Sequence, residues 1–264
     1  MKCEDITAVL DELSPRKYAC SWDNVGLLAG RKNKNVSKVM VALDASYEVI
    51  NAAVTQGVDM LITHHPMIFS PLKQINEEGI TSDKVITLIE NHIAYYAMHT
   101  NFDTVGGMGS LAAGDKYLNL KDVKPLIFES DETEGMGRGG FLPKPMTSTE
   151  VCEYVKKVFS LDFVMLYQGK NDVDKTYDKI AVLPGSGKSE LEEVKALGYE
   201  LYLTGDFGHH PGLDAIDEGM AVIDATHYGL EHIFISYIAN YLKEKLSNEL
   251  EVIELDTGCP LRII

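Results

Sequence analysis

Seven of the eight histidines in this chain fall in four short places: His64 with His65, His99, His209 with His210, and His227 with His232. Each place follows a predicted strand, and carboxylates lie close by in Asp103, Asp206 and Glu231. Imidazole and carboxylate together are the donors of divalent metal sites, and ligands of open α/β sheets gather at the carboxyl ends of strands. His64 and His65 would point to opposite faces of a straight strand, but at a strand end before Pro66 the backbone turns and both rings can reach one cavity. Asp103 lies four residues beyond His99 in a loop ending in Gly106-Gly107. His227 and Glu231 are spaced i, i+4 at a helix start, which puts both side chains on one face.

Singly, each group has a structural explanation: an exposed histidine pair, a turn aspartate bonded to nearby amides, a capping or ion pair. Three independent coincidences would be needed to explain them all, so metal binding is the better account. His64, His65, Asp103, His227 and Glu231 suit two divalent ions that keep open positions. With nitrogen and carboxylate donors and no thiolate, the ions could be zinc, iron, manganese or nickel. Paired divalent ions acidify a water, so hydrolysis is the natural chemistry. Asp206, His209 and His210 are either further ligands, orienters of ligands or a general acid/base, the last two being favoured. His99 carries the same alternatives. His92, near a helix end, stands apart from the site.

A decoy lies nearby. Pro184-Gly185-Ser186-Gly187-Lys188-Ser189 resembles a phosphate-binding loop, but the glycine that motif needs is Val182 here. The segment reads as a tight strand-to-helix turn capped by Ser186 or Ser189.

The elements that position these residues follow from apolar patterning. Ile6, Val9, Leu10 and Leu13 predict a helix over 4–14. Val39–Leu43, Met60–Ile62 and Ile93–Met98 are apolar runs suited to buried strands. Between them, Asp44 to Gln56 has helical periodicity ending at Gly57, and Ser82 caps a helix to about His92. Strands separated by helices imply crossovers and a mainly parallel sheet. Asp122–Lys144, acidic and then rich in glycine, reads equally as a connection between halves or a long surface loop. From Thr147 a helix and a weaker strand lead to Lys179, where the first half recurs. Lys38-Val39-Met40-Val41 matches Lys179-Ile180-Ala181-Val182, and Gly57–Thr63 matches Gly198–Thr204, both 141 positions apart. The constant offset predicts internal duplication. The expected fold is two similar α/β lobes with the metal site in the cleft between them. Residues 1–125 form one lobe, completed by 232–264, and 126–231 form the other.

Bulk properties narrow the partners. Forty acidic against twenty-four basic side chains leave a formal charge of −16, which repels a nucleic-acid backbone. The four cysteines are scattered without a paired motif, against a disulfide framework or a thiolate metal site. The polar opening Met1-Lys2-Cys3-Glu4-Asp5 is unlike a secretory signal, and no apolar run approaches the roughly eighteen residues a membrane helix needs. A cytoplasmic protein is expected, with no membrane partner.

Several motifs in order resemble the Nif-three-like family, described as dinuclear metal-centre hexamers and known as type 2 homologues of GTP cyclohydrolase I. They are Ser21-Trp22-Asp23-Asn24-Val25-Gly26-Leu27, Thr63–Pro66, His99–Asp103, Thr204-Gly205-Asp206 followed by His210, and Asp224–Glu231. The resemblance covers nearly the whole chain. It implies that His64, His65, Asp103, His227 and Glu231 ligate two metals, that the fold has two α/β lobes, and that the protein is a toroidal homohexamer opening a purine nucleotide ring. Two departures stand out: the interval from Asp122 to Tyr177 is too short for the domain many members insert, and position 226 is Thr where Gly is expected. Beside a metal-dependent hydrolase acting on a small molecule, two other readings fit the residues: a metal carrier or insertase, and an interaction protein whose metals are structural.

Overall fold

The computed structural model of the chain describes residues 1–105, 107–131, 134–246 and 250–264. Contacts divide it into two compact units, 1–105 with 234–260 and 106–233 with 261–264.

The first unit contains α1 (Cys3–Leu13), β1 (Gly26–Ala29), β2 (Lys38–Ala42), α2 (Tyr47–Thr55), β3 (Met60–Thr63), α3 (Ile80–Glu90), β4 (Ala94–Ala97) and α4 (Thr100–Thr104). The chain returns to it through α10 (Ile233–Leu246) and β11 (Glu251–Glu254). Among the described residues one sheet forms here, in the order β1-β4-β3-β2-β11. Strands β11, β2, β3 and β4 run parallel, and β1 pairs antiparallel with β4. Strands β3 and β4 are buried along their whole length, which is why they read as continuous apolar runs rather than alternating ones. Helix α2 opens at Ser46, whose hydroxyl accepts from the Val49 amide at 3.2 Å, and it turns Val49, Ile50 and Ala53 into the core beside Met40, Leu61 and Tyr95. Gly57 follows in the left-handed conformation, φ +62°, as a helix end favours.

Helix α3 begins two residues before the expected cap. Gly79 is its cap residue, and Ser82 lies inside the first turn, donating to the carbonyls of Asn76 and Gly79 at 2.6 and 2.9 Å. A serine hydroxyl donates as readily as it accepts, and here it closes the preceding turn instead of capping the helix.

The second unit holds α5 (Met108–Ala113), β5 (Lys121–Asp131), β6 (Glu134–Thr147), α6 (Ser148–Phe159), β7 (Met165–Tyr167), β8 (Thr176–Ser186), α7 (Leu191–Ala196), β9 (Leu201–Gly205), α8 (His209–Asp217), β10 (Ala221–Asp224) and α9 (His227–Glu231). Its sheet among the described residues has the order β5-β6-β8-β9-β10-β7. Only β8-β9-β10 is parallel, while the β5–β6, β6–β8 and β7–β10 pairs are antiparallel. This sheet is therefore mixed rather than mainly parallel. Helix α5 packs on β6 at Gly109, where a Cβ would lie 3.0 Å from the Gly137 Cα. Residues 106–125 thus group with this unit, and the division comes after 105 rather than after 125.

The glycine-rich stretch expected as a connection or surface loop is instead a pair of long antiparallel strands, β5 and β6. Its glycines make room. A Cβ at Gly139 would lie 2.2 Å from the Tyr199 ring, and one at Gly140 would lie 2.7 Å from the Lys121 carbonyl oxygen. Glycine inside a strand marks this kind of close approach. At the far end of β6, Thr147 and Glu150 form a reciprocal capping box that starts α6.

The two sheets share one pattern: three parallel strands joined by helices, with an earlier strand antiparallel against the last of them (β1 on β4, β7 on β10). No helix among the described residues is long and apolar enough to cross a membrane.

Candidate metal centre

In each unit the candidate ligands leave the carboxyl ends of the parallel strands, the edge where such sheets bind ligands. In the first unit β3 ends in Thr63-His64-His65-Pro66. The turn is held by the phenol of Tyr95, a fully buried residue of β4. That oxygen lies 2.9 Å from Thr63 Oγ1, donates to the His65 carbonyl at 3.0 Å and accepts from the Met67 amide at 2.7 Å. Burial pushes the Tyr95 hydroxyl up to about 12, so it stays protonated and keeps donating.

His64 is completely buried, with its Nδ1 2.8 Å from the Met98 carbonyl oxygen. A carbonyl only accepts, so Nδ1 carries the proton and Nε2 presents its lone pair. That Nε2 lies 3.6 Å from Asp103 Oδ1 on α4. His65 Nδ1 meets Asp44 Oδ1 at 2.8 Å, just beyond β2. His99, at the end of β4, meets Asp23 Oδ1 through Nδ1 at 3.0 Å. The three rings cluster with centroids 4.9 to 5.6 Å apart, and ligand atoms of His64, His65 and His99 lie within 4.8 Å of one another. Burial pushes the Asp23 carboxyl up, but hydrogen bonds from His99 and Thr100 outweigh it and hold the group at about 2. Asp23 is thus an anion at any ordinary pH.

In the second unit β9 ends in Gly205-Asp206 and β10 in Asp224-Ala225-Thr226. Asp224, 2% exposed, accepts from the amides of Phe207 and Thr226 at 2.9 Å each and ties the two turns together. Thr226 has φ +65°, the conformation that explains why glycine is expected there. Its hydroxyl accepts from the Gly229 amide at 3.1 Å, so it caps α9. Gly205 lets this helix start come close, since a Cβ there would lie 2.6 Å from the His227 amide nitrogen. One turn of helix then places His227 Nε2 3.0 Å from Glu231 Oε2, with Glu231 3% exposed. His227 Nδ1 lies 2.9 Å from Asp206 Oδ2.

Four imidazoles (His64, His65, His99 and His227) therefore share one arrangement, with Nδ1 against an oxygen, and Nε2 of His64 and of His227 faces a carboxylate. Metal-binding histidines have this outer hydrogen bond almost without exception, so the residues present fit a divalent cation. Of the residues given catalytic roles, Asp206 contacts a candidate ligand directly, and His99 stands among the candidate ligands. His209 and His210 are exposed at the start of α8, where they pack against each other at 5.2 Å.

Two contributors were missed. Asp44 directly follows an apolar strand, the same position that drew notice to the histidines, and Asp23 lies inside the Trp-Asp-Asn motif. The phosphate-loop decoy also differs in detail. Strand β8 runs through Ser186, Ser189 donates to Glu190 Oε1 at 2.8 Å, and neither serine caps α7. The Gly187 amide is used internally, donating to Thr204 Oγ1 at 3.0 Å.

Residues 1–260 match the family described as Duf34/NIF3 (NGG1p interacting factor 3). The chain is 34% identical over 258 residues to a protein named GTP cyclohydrolase 1 type 2 homolog from Methanocaldococcus jannaschii, covering 97% of this chain and all of the relative. It is 32% identical over 257 residues to a protein of the same name from Clostridium perfringens, covering 96% and 95%. The crystal structure of a Bacillus cereus protein related to NIF3 superposes with a TM-score of 0.91 over 100% of this chain and 99% of that one. At 23% identity that likeness shows the fold alone.

Proposed function

The chain belongs to the Duf34/NIF3 family, and on that premise we propose that it is a metal-dependent hydrolase acting on a nucleotide or a related heterocycle. The observation that carries the reading is the shared arrangement of His64, His65 and His227, each with Nδ1 against an oxygen, with Nε2 of His64 beside Asp103 and Nε2 of His227 beside Glu231. His64, His65 and Asp103 on the first unit, with His227 and Glu231 on the second, would hold two divalent ions. When bound, such ions supply Lewis acidity and an activated water.

The chain's own residues divide the remaining work. Met98, Asp44 and Asp206 orient the imidazoles, so each ligand is preorganised in one tautomer. His99 and His210 are the proton carriers, one taking the proton that water loses and the other supplying the departing ring nitrogen. In that hydrolysis the water oxygen bonds to a ring carbon and a carbon–nitrogen bond breaks. The relatives' shared name supports a purine nucleotide as the substrate. The family resemblance supports a homohexamer, and the strand order common to both sheets supports internal duplication.

The test is bound metal per chain, by elemental mass spectrometry on protein purified without chelator, together with GTP consumption by the metal-loaded protein. About two ions in wild type, falling sharply in both His64→Ala and Glu231→Ala, with metal-dependent turnover, is the expected result. Loss in only one variant would mean that the two ligand sets do not act together. Metal without turnover of any purine nucleotide would replace hydrolysis with metal carriage.

A further inference from the structure

Trp22 and Phe69 lie in the first unit on segments of distant sequence. Their ring centroids are 5.8 Å apart with planes tilted by 49°. Both are more than half exposed, Trp22 at 58% and Phe69 at 52%, and large apolar side chains held in water together mark binding surfaces more than isolated ones do.

The exposure is built rather than incidental. Asp23, next to Trp22, is anchored by the Thr100 amide at 3.0 Å and by His99. Asn24 donates to the Ile68 carbonyl at 2.5 Å, which stitches the two segments together two residues from Trp22 and one from Phe69. Met67 is fixed by the Tyr95 phenol. Hydrogen bonds on both sides thus hold the aromatic pair in place.

Its surroundings identify the occupant. The Trp22 ring meets the His99 imidazole edge-on at 6.2 Å, and His99 in turn lies 5.2 and 5.6 Å from His64 and His65. The aromatic surface is therefore continuous with the candidate metal ligands, and a ring lying on it would have its edge within reach of them. We propose that Trp22 and Phe69 form a stacking platform for the planar nitrogen heterocycle of the substrate, a purine base, beside His99. This rests on the hydrolase reading and adds the residues that recognise the base. Stacking suits this strongly acidic protein, because it grips the uncharged part of a nucleotide.

Trp22 is the only tryptophan in the chain, so tryptophan emission, excited beyond the tyrosine band, reports on the platform alone. The experiment titrates wild type and Phe69→Ala with guanosine, GTP and inorganic tripolyphosphate, exciting where guanine does not absorb, and measures bound metal in parallel. Guanosine and GTP should quench saturably and tripolyphosphate should not, with half-saturation raised about tenfold in Phe69→Ala. Metal content should be the same in both proteins. Saturable quenching in a protein that holds no metal would keep the platform and remove the metal reading. Absence of saturable quenching by guanosine and GTP overturns the proposal even if metal is bound. So does emission that shifts on diluting the protein alone, which would make the pair a contact between copies of the chain.

Discussion

Asp23 and His99 are 76 residues apart in sequence and meet at 3.0 Å. The same buried carboxylate accepts from the Thr100 amide and, at 2.5 Å, from the Thr100 hydroxyl. One anion thus ties the loop before β1 to the end of β4, where His99 stands. Asp23→Ala would leave buried donors without an acceptor, each costing about 1–3 kcal/mol. The metal-free variant is expected to be less stable than wild type by about that amount in urea denaturation. An unchanged midpoint would show that water replaces the carboxylate and that Asp23 is not the clamp.

Asp206 plays the corresponding part for His227 but is exposed, so its removal should separate ligand orientation from folding. Asp206→Ala is expected to leave the melting temperature of the metal-free protein nearly unchanged, as surface substitutions do. Metal affinity should fall about 10- to 100-fold, as losses of an outer partner do. Competition against a fluorescent chelator measures it. Wild-type affinity in the variant would mean that His227 is held in place by α9 alone.

Asp59, just before β3 and so at the opposite end of that strand from His64 and His65, gives the chain an acid-sensitive joint. Its carboxylate accepts from Ser37 N at 2.9 Å, Ser37 Oγ at 2.8 Å, Lys38 N at 3.2 Å and Lys34 Nζ at 3.2 Å. Burial pushes its pKa up, but the hydrogen bonds from Ser37 and Lys34 outweigh it and hold it below the ordinary carboxylate value. A depressed folded pKa contributes stability above the unfolded value, near 3.9, and loses it as pH falls through the folded one. The gap in melting temperature between wild type and Asp59→Asn should therefore be constant near neutrality and narrow below about pH 4. A gap independent of pH would assign the effect to packing.

The parts of the fold written locally could be read from the sequence. Strands β3 and β4 are buried on both faces, and Met60-Leu61-Ile62 and Ile93–Met98 are accordingly unbroken apolar runs. His227 and Glu231 carry helical spacing in their numbers. Strand β6 was hidden because the reason for its glycines lies elsewhere. Tyr199 and Lys121 approach Gly139 and Gly140 only once the sheet has formed, and along the chain the same glycines read as turns. Asp44 and Asp23 were missed for a related reason, since an outer-shell partner is defined by which imidazole it meets. Ser82 shows the limit of cap rules, because a hydroxyl has a choice of roles that only the neighbouring carbonyls decide.

Gly185 and Gly198 make a matched pair for a last test. Both adopt φ +82°, where a side chain strains the backbone by about 1–2 kcal/mol. Nothing lies within 4 Å of a Cβ built at Gly198, whereas one at Gly185 would sit 2.7 Å from Glu231 Oε1 and 3.8 Å from His227 Cε1. The atom in the way at Gly185 is the end of a flexible side chain, so the carboxylate should swing aside rather than the sheet break. Gly198→Ala and Gly185→Ala are thus expected to lose similar stability, about 1–2 kcal/mol by urea denaturation of metal-free protein. Only Gly185→Ala should also lose bound metal, because only there is Glu231 moved from its place beside His227. If both variants kept full metal content, Glu231 could shift without consequence and would not be a ligand. If both lost metal equally, the loss would come from strain spreading through the unit, and the contact between Gly185 and Glu231 would carry no special role.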